Sequence, residues 1–203
     1  MADMTDVGEA LVAVVAGAAY PTGTSQPSVI DAPVMVYQGW PDPKTLEADL
    51  KAGKVHVSVF PTQKQQITNV VMGDMEWVED SNDGTTGELS QETRRQTKAF
   101  QITIWANAPA LRDPLARILD SVLSGITRLA LMDGTTGMLS YIMSQQHDER
   151  SSIMIFRRDL FYNVNYATIQ VLDAYTILNT QTNMAAAIND TMFGPPITVT
   201  TNN

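Results

Sequence analysis

The sequence predicts an α+β protein: a mainly antiparallel sheet with helices packed on one face, plus an extended C-terminal arm. Three observations carry this. Helical patterns are interspersed with hairpin-like strand patterns along the chain. The most regular strand, Lys98 to Trp105, leads into the most regular helix, whose apolar positions are Leu111, Leu115, Ile118, Leu119, Val122 and Leu123. From Thr180 onward the residues are small and polar, with Gly194-Pro195-Pro196 among them and no packed element in evidence. Residues 1–178 are therefore read as one domain and residues 179–203 as an extended or disordered arm.

The elements follow in order. Val7 to Ala19 is an apolar run that reads as a mostly buried helix, capped by Thr5 or Asp6 and ended by Gly17 and Tyr20-Pro21. Thr22 to Pro33 reads as a loop. Val34 to Tyr37 is a short strand closed by Gly39-Trp40-Pro41. Asp42-Pro43 then opens a short helix, with Asp at the cap and Pro in the first turn. Leu46 and Leu50 share one face of it, and Glu47 and Lys51 form an i,i+4 pair on another. Val55, Val57 and Val59 alternate with His56, Ser58 and Phe60, a half-buried strand that Pro61 should stop. Ile67 to Val78 is a further strand candidate, interrupted at Gly73-Asp74, and Asp80 to Thr93 reads as a polar loop or hairpin tip. In the helix after Trp105, Arg112, Asp113, Arg117 and Asp120 are expected on the solvent side. Leu129 to Met132, Met138 to Met143, Ser152 to Phe156, Leu160 to Tyr166 and Ile169 to Tyr175 read as strands.

Composition limits the function. The chain has 203 residues and no cysteine, so disulfides, thiolate nucleophiles and cysteine-ligated metals are excluded. With 22 acidic against 13 basic residues the net charge is -9, which disfavours gripping a phosphate backbone. Charged residues are only 17% of the chain, and Thr, Asn, Gln and Ser supply much of the polarity. Uncharged polar surface costs less to desolvate than charged surface and suits burial against partners. The apolar N-terminal run has acidic flanks, Asp3, Asp6 and Glu9, where a signal peptide needs basic ones, and it falls short of the ~20 residues that span a bilayer. No membrane association is expected.

Chemical motifs are missing. His56 and His147 have no metal-ligand partner at i+2 or i+4, no phosphate-binding glycine loop is present, and no Gly-x-Ser-x-Gly elbow occurs. No catalytic, cofactor-binding or metal site is assigned and no cofactor is expected. Asp80-Ser81-Asn82-Asp83-Gly84 superficially suggests a calcium loop but fails its spacing in either register. The pentapeptide Asp-Gly-Thr-Thr-Gly occurs at residues 83–87 and again at 133–137. Its flanks do not match, so both copies read as turns.

Two basic pairs interrupt the acidic background, Arg94-Arg95 and Arg157-Arg158. Each reads either as solvation of an edge strand or as a salt bridge to the acidic surface of a neighbouring subunit. Trp40, between Gly39 and Pro41, reads either as a lid on the core or as an interface anchor. These five residues are the candidate subunit-interface positions.

Two stretches then carry a resemblance. Phe100-Gln101-Ile102-Thr103-Ile104-Trp105-Ala106, with Pro109 and Leu111 to Leu119 behind it, is one. Arg157 to Thr168, containing Tyr162-Asn163-Val164-Asn165-Tyr166, is the other. Both resemble head–tail joining proteins of long-tailed bacteriophages, in particular tail terminators, in element order from Asp6 to Leu178. The resemblance implies a structural virion protein, not an enzyme. It implies a homohexameric ring that caps the tail tube and contacts the tube protein and the neck or connector proteins. Such a protein is assembled in the host cytoplasm and ends in the tail or neck of the virion. DNA would pass through an acidic lumen without specific binding. Two other readings stay open: another neck, connector or tail tube protein, and an enzyme with a dispersed carboxylate site.

Overall fold

The computed structural model describes residues 3–69, 76–79, 86–148, 154–175, 180–181 and 200–201. The chain divides into two compact units, one made of Met1–Gly73 and Glu92–Ile169, the other of Asp74–Gln91 and Gln170–Asn203.

The first unit holds the three helices of the described residues, α1 (Met4–Ala19), α2 (Pro43–Lys51) and α3 (Pro109–Gly125). Its strands are β1 (Val34–Gln38), β2 (Val55–Asn69), β4 (Thr86–Ala106, from Glu92), β5 (Arg128–Ala130), β6 (Thr136–His147) and β7 (Phe156–Tyr175, to Ile169). They form one sheet in the order β1-β2-β4-β7-β6-β5. β1 and β2 are parallel, with Val34 beside Val55. β2 with β4, β5 with β6 and β6 with β7 are antiparallel. Side-chain bonds linking Thr93 to Thr168, Thr97 to Asn165 and Thr103 to Asp159 run in opposite senses along β4 and β7, so that pair is antiparallel too. The fold is thus α+β with a mainly antiparallel sheet. In the second unit, β3 (Glu76–Glu79) pairs with the opening of β4, Glu76 beside Ser90. β8 (Thr180–Gln181) pairs antiparallel with β9 (Thr200–Thr201). The rest of residues 179–203, and with it most of the expected arm, lies outside the described residues.

Alternation decides which side chains meet. Val55, Val57, Val59, Phe100, Ile102, Ile104, Leu160, Tyr162 and Val164 line one face and are buried with Leu11 and Val15 of α1 and Leu115, Leu119 and Leu123 of α3. This is the helix-covered face that the periodicity predicts. α2 sits on the opposite face. His56, between the core valines, turns away from them and bonds Asp49 of α2. Leu46 and Leu50 bury against this side of β2.

Several local expectations change. The cap of α1 is Asp3, two or three residues ahead of those expected: its carboxylate accepts from the N–H groups of Thr5 and Asp6, and Asp6 accepts in return from the N–H of Asp3. Pro61 does not stop β2. β1 ends at Gln38, opposite Val59, and a register shift falls between Pro61 and Gln65. A proline at a bulge with no strand on one side forfeits no ladder bond. β4 begins at Thr86, so much of the expected polar loop is strand, while residues 80–85 lie outside the described residues. His147 ends β6 beside Arg157 and is not in a turn. The separate strands expected at Leu160 to Tyr166 and Ile169 to Tyr175 are one strand, β7. Of the strand expected at Ser152 to Phe156, residues 152–153 lie outside the described residues, Met154 is in a turn, and Phe156 opens β7. The second Asp-Gly-Thr-Thr-Gly copy is the β5–β6 turn, with Gly134 at φ +81° and Asp133 accepting from Thr135. Gly137 at its end is buried, and a Cβ there would meet Val164 Cγ1 at 2.8 Å. Gly87 of the first copy lies in β4, and residues 83–85 lie outside the described residues.

Candidate functional site: the second face of the sheet

The face opposite α1 and α3 is built around a buried carboxylate. Asp159 on β7 is 1% exposed. It accepts from Arg157 Nε at 2.8 Å and Nη2 at 2.7 Å, and from Thr103 Oγ1 at 2.8 Å. Gln101 Nε2 donates to Thr103 in turn, at 3.1 Å. His147 Nε2 lies 3.4 Å from the same carboxylate. Positions i and i+2 of a strand share a face, which puts Arg157 and Asp159 side by side. The guanidinium then lies over two indoles, 5.5 Å from the ring centre of Trp40 and 5.0 Å from that of Trp105. Trp40 also packs on Phe60, with ring centres 4.4 Å apart. Arg157 therefore has both a carboxylate partner and a cation–π contact within its own subunit.

Trp40 remains 57% exposed. Beside it runs a cavity of about 350 Å³ lined by Trp40, Pro41, Pro43, Leu46, Glu47, Trp105 and Ile155. Among its described lining residues Glu47 is the one carboxylate, and the Lys51 ammonium, bonded to it at 2.7 Å, holds it below the usual carboxylate range. General-acid chemistry needs the opposite shift. Across the sheet, on the same face, Met138 and Met143 of β6 are 62% and 41% exposed.

The other predicted positions spread out. Arg95 forks onto Glu92 at 2.6 and 2.7 Å and reaches Asn165 at 3.3 Å. Its neighbour Arg94 points to the other side, bonding Thr168 Oγ1 at 3.4 Å, and its buried Nε has no partner among the described residues. Arg158 bonds Ser144. Only Trp40 and Arg157 of the five meet.

His56 forms a relay: its Nε2 donates to Asp49 at 3.1 Å and its Nδ1 accepts from the Tyr37 hydroxyl at 3.0 Å. The Asp49 bond fixes the tautomer. Burial pulls His56 below its ordinary pKa, with Asp49 opposing. Burial and the Asp49 charge push the Tyr37 phenol up to about 12. The three side chains come from β1, β2 and α2, and the relay pins these elements together.

Two structural residues escaped the sequence reading. Arg112, expected in solvent, is 1% exposed. It is bonded to Asp113 and Asp148 and lies over Phe156. Burial works against its charge, but the two carboxylates outweigh it and its pKa rises. The signal was present, since Arg112 shares the i, i+3, i+4, i+7 stripe with Leu115, Ala116 and Leu119. Asp159 was legible only as the i+2 partner of Arg157. Among the described residues no group of three His, Asp or Glu could hold a metal, and no helix is long and apolar enough to cross a membrane.

No protein-family model and no curated protein matches the chain. Several solved structures are similar to it, among them these two. One is a chain of the virion of a native gene transfer agent particle, at 16% identity and TM-score 0.38, covering 82% of this chain and 100% of that one. The other is from an extracellular contractile injection system, the PVC sheath/tube terminator in its extended state, at 13% identity and TM-score 0.41 over 95% of this chain. This chain spans 65% of that one's length.

Proposed function

We propose that the chain is a structural virion protein that forms a homohexameric ring, terminates the tail tube and joins tail to head, and that it works by contact and not by catalysis. The observation that carries the reading is the apolar surface left open on the second face of the sheet, where Trp40, Met138 and Met143 stand in solvent. Exposed apolar groups gathered on one face mark protein–protein contact. A tryptophan stacked on one side and open on the other suits an interface anchor. The terminator role is supported by the two stretches that carry the resemblance. In the fold they are the central strands of the first unit and the helix against them.

In this reading Trp40 anchors the contact, while Arg94, Arg95 and Arg158 face neighbouring acidic surface. The Arg157 guanidinium, held by Asp159, stiffens the patch from within. The partners are further copies of the chain, the tail tube protein and the neck or connector proteins. A net charge of -9 suits a lumen that DNA crosses without being held.

Electron microscopy of the purified protein, alone and mixed with tail tubes, tests the proposal. Closed rings, or caps on tube ends that stop further growth, are expected. A protein that stays monomeric and leaves tube ends bare overturns it. One that polymerises by itself into long tubes is a tube subunit instead.

A further inference from the structure

We infer that neighbouring copies join edge to edge, the outer side of β6 in one copy taking the outer side of β1 in the next. The inference rests on the ring reading and names the surfaces that build it. β6 pairs with β7 from Met138 to His147, whereas β5 covers its other side only from Thr136 to Met138. Leu139 still donates its N–H to Thr127. Beyond it, residues 140–147 have no strand on their outer side among the described residues. β1 closes the opposite end of the sheet and among the described residues pairs with β2 alone. The Tyr20 hydroxyl takes the outward N–H and carbonyl of Val34, so the stretch of β1 offered to a neighbour is Val36 to Gln38.

Soluble proteins blunt such edges with charge, proline or a covering element. Neither edge here carries the first two. Ser140-Tyr141-Ile142-Met143-Ser144-Gln145-Gln146 has no charged residue and no proline, and the same holds for Val34-Met35-Val36-Tyr37-Gln38. In a chain of net charge -9, two uncharged edges are places where copies can approach without repulsion. β6 does carry a bulge between Tyr141 and Met143, which raises its twist but supplies no partner for its outer groups.

Strand sense favours this pairing. β1 runs with β2, and each later step across the sheet reverses direction, so β6 runs opposite to β1. Rotation about an axis along the strands preserves sense from copy to copy. β6 would then meet the next β1 antiparallel, the more stable ladder. Side chains agree as well. Met35 on β1 and Met143 on the open part of β6 are both exposed and both on the second face, so a joined sheet can bring the two methionines together. Because the two edges differ, the contact is heterologous and repeats until it closes.

The lack of cysteine allows a clean test, because introduced thiols are the only ones. Full-length Met35→Cys and Met143→Cys proteins are mixed, assembled and treated with a bismaleimide spanning about one to two strand spacings, roughly 5–10 Å. Mixed dimers are expected, as is a ladder of linked species in the double variant. Ser140→Lys combined with Gln146→Lys should abolish both without moving the far-UV spectrum or the urea midpoint. Met143→Cys linking to itself in place of the mixed product overturns the inference in favour of a two-fold dimer. Rings on the grid without the mixed product overturn it and leave the ring reading standing. No assembly at all overturns both.

Discussion

Phe100, Ile102 and Ile104 are buried beneath α1 and α3, while Gln101 and Thr103, between them on β4, are buried on the opposite face by different means. On the helix-covered face the side chains are apolar, and what matters is volume and shape. On the other face burial comes from a few polar groups that satisfy one another. Asp159 takes hydrogen bonds from Arg157 and Thr103, Thr103 takes one from Gln101, and Arg157 lies against Trp40 and Trp105. The first arrangement tolerates any filler of the right size. The second fails when one member is lost, because the remainder stay buried without partners. A sheet organised this way can fold on one face and hold a defined surface on the other without a second full layer of helices.

Phe100→Ala should cost most, about 3–5 kcal/mol in urea unfolding, since it opens a cavity beneath two helices. Asp159→Ala should cost about 3 kcal/mol, because it strands a guanidinium and a hydroxyl. The decisive measurement is the pair Arg157→Met with Asp159→Leu. It should regain most of that loss, as buried ion pairs replaced by apolar groups often do. If Asp159→Ala costs no more than an ordinary surface change, within about 0.5 kcal/mol, the network does not hold the second face.

Trp40→Ala should cost only about 1 kcal/mol, the worth of its aromatic contacts, yet remove assembly in the microscope. Retained assembly would take Trp40 out of the interface. The smallest effect concerns pH. Burial depresses the pKa of His56 in the fold, so the fold disfavours its protonated form. Its contribution is present above the ordinary histidine value and is lost as pH falls from there through the lowered folded value. Urea midpoints between pH 8 and 5 should fall more for the native chain than for His56→Gln. Parallel curves would show that His56 does not couple to folding.

How far the sequence could be read depends on the range of the forces involved. Alternation and helical spacing are local, so β1, α2, α3 and the Glu47–Lys51 pair could be placed directly. Pro61 misled because its cost depends on whether a strand lies beside it, a tertiary fact. Arg112 misled because its charge argued for solvent while its position argued for the core, and its partner Asp148 is distant in sequence. Within the candidate site, strand geometry puts Arg157 and Asp159 on one face, yet the sequence reading takes Arg157 only as part of a basic pair and leaves Asp159 out. The meeting of Trp40 with Trp105 was not readable, since it depends on how the loop after β1 returns over β2 and β4.

The loop between α1 and β1 offers a practical handle. The Tyr20 hydroxyl accepts the Val34 N–H at 2.7 Å and donates to the Val34 carbonyl at 3.2 Å, and the Val29 N–H returns to the Ala19 carbonyl. These bonds tie the two ends of the loop together independently of its tip. At the tip Gly23 has a positive φ of 96° and open space around it. A short epitope inserted between Gly23 and Thr24 should leave the sheet untouched and give each subunit a landmark, so that antibody labelling can report which way a ring faces on a tube.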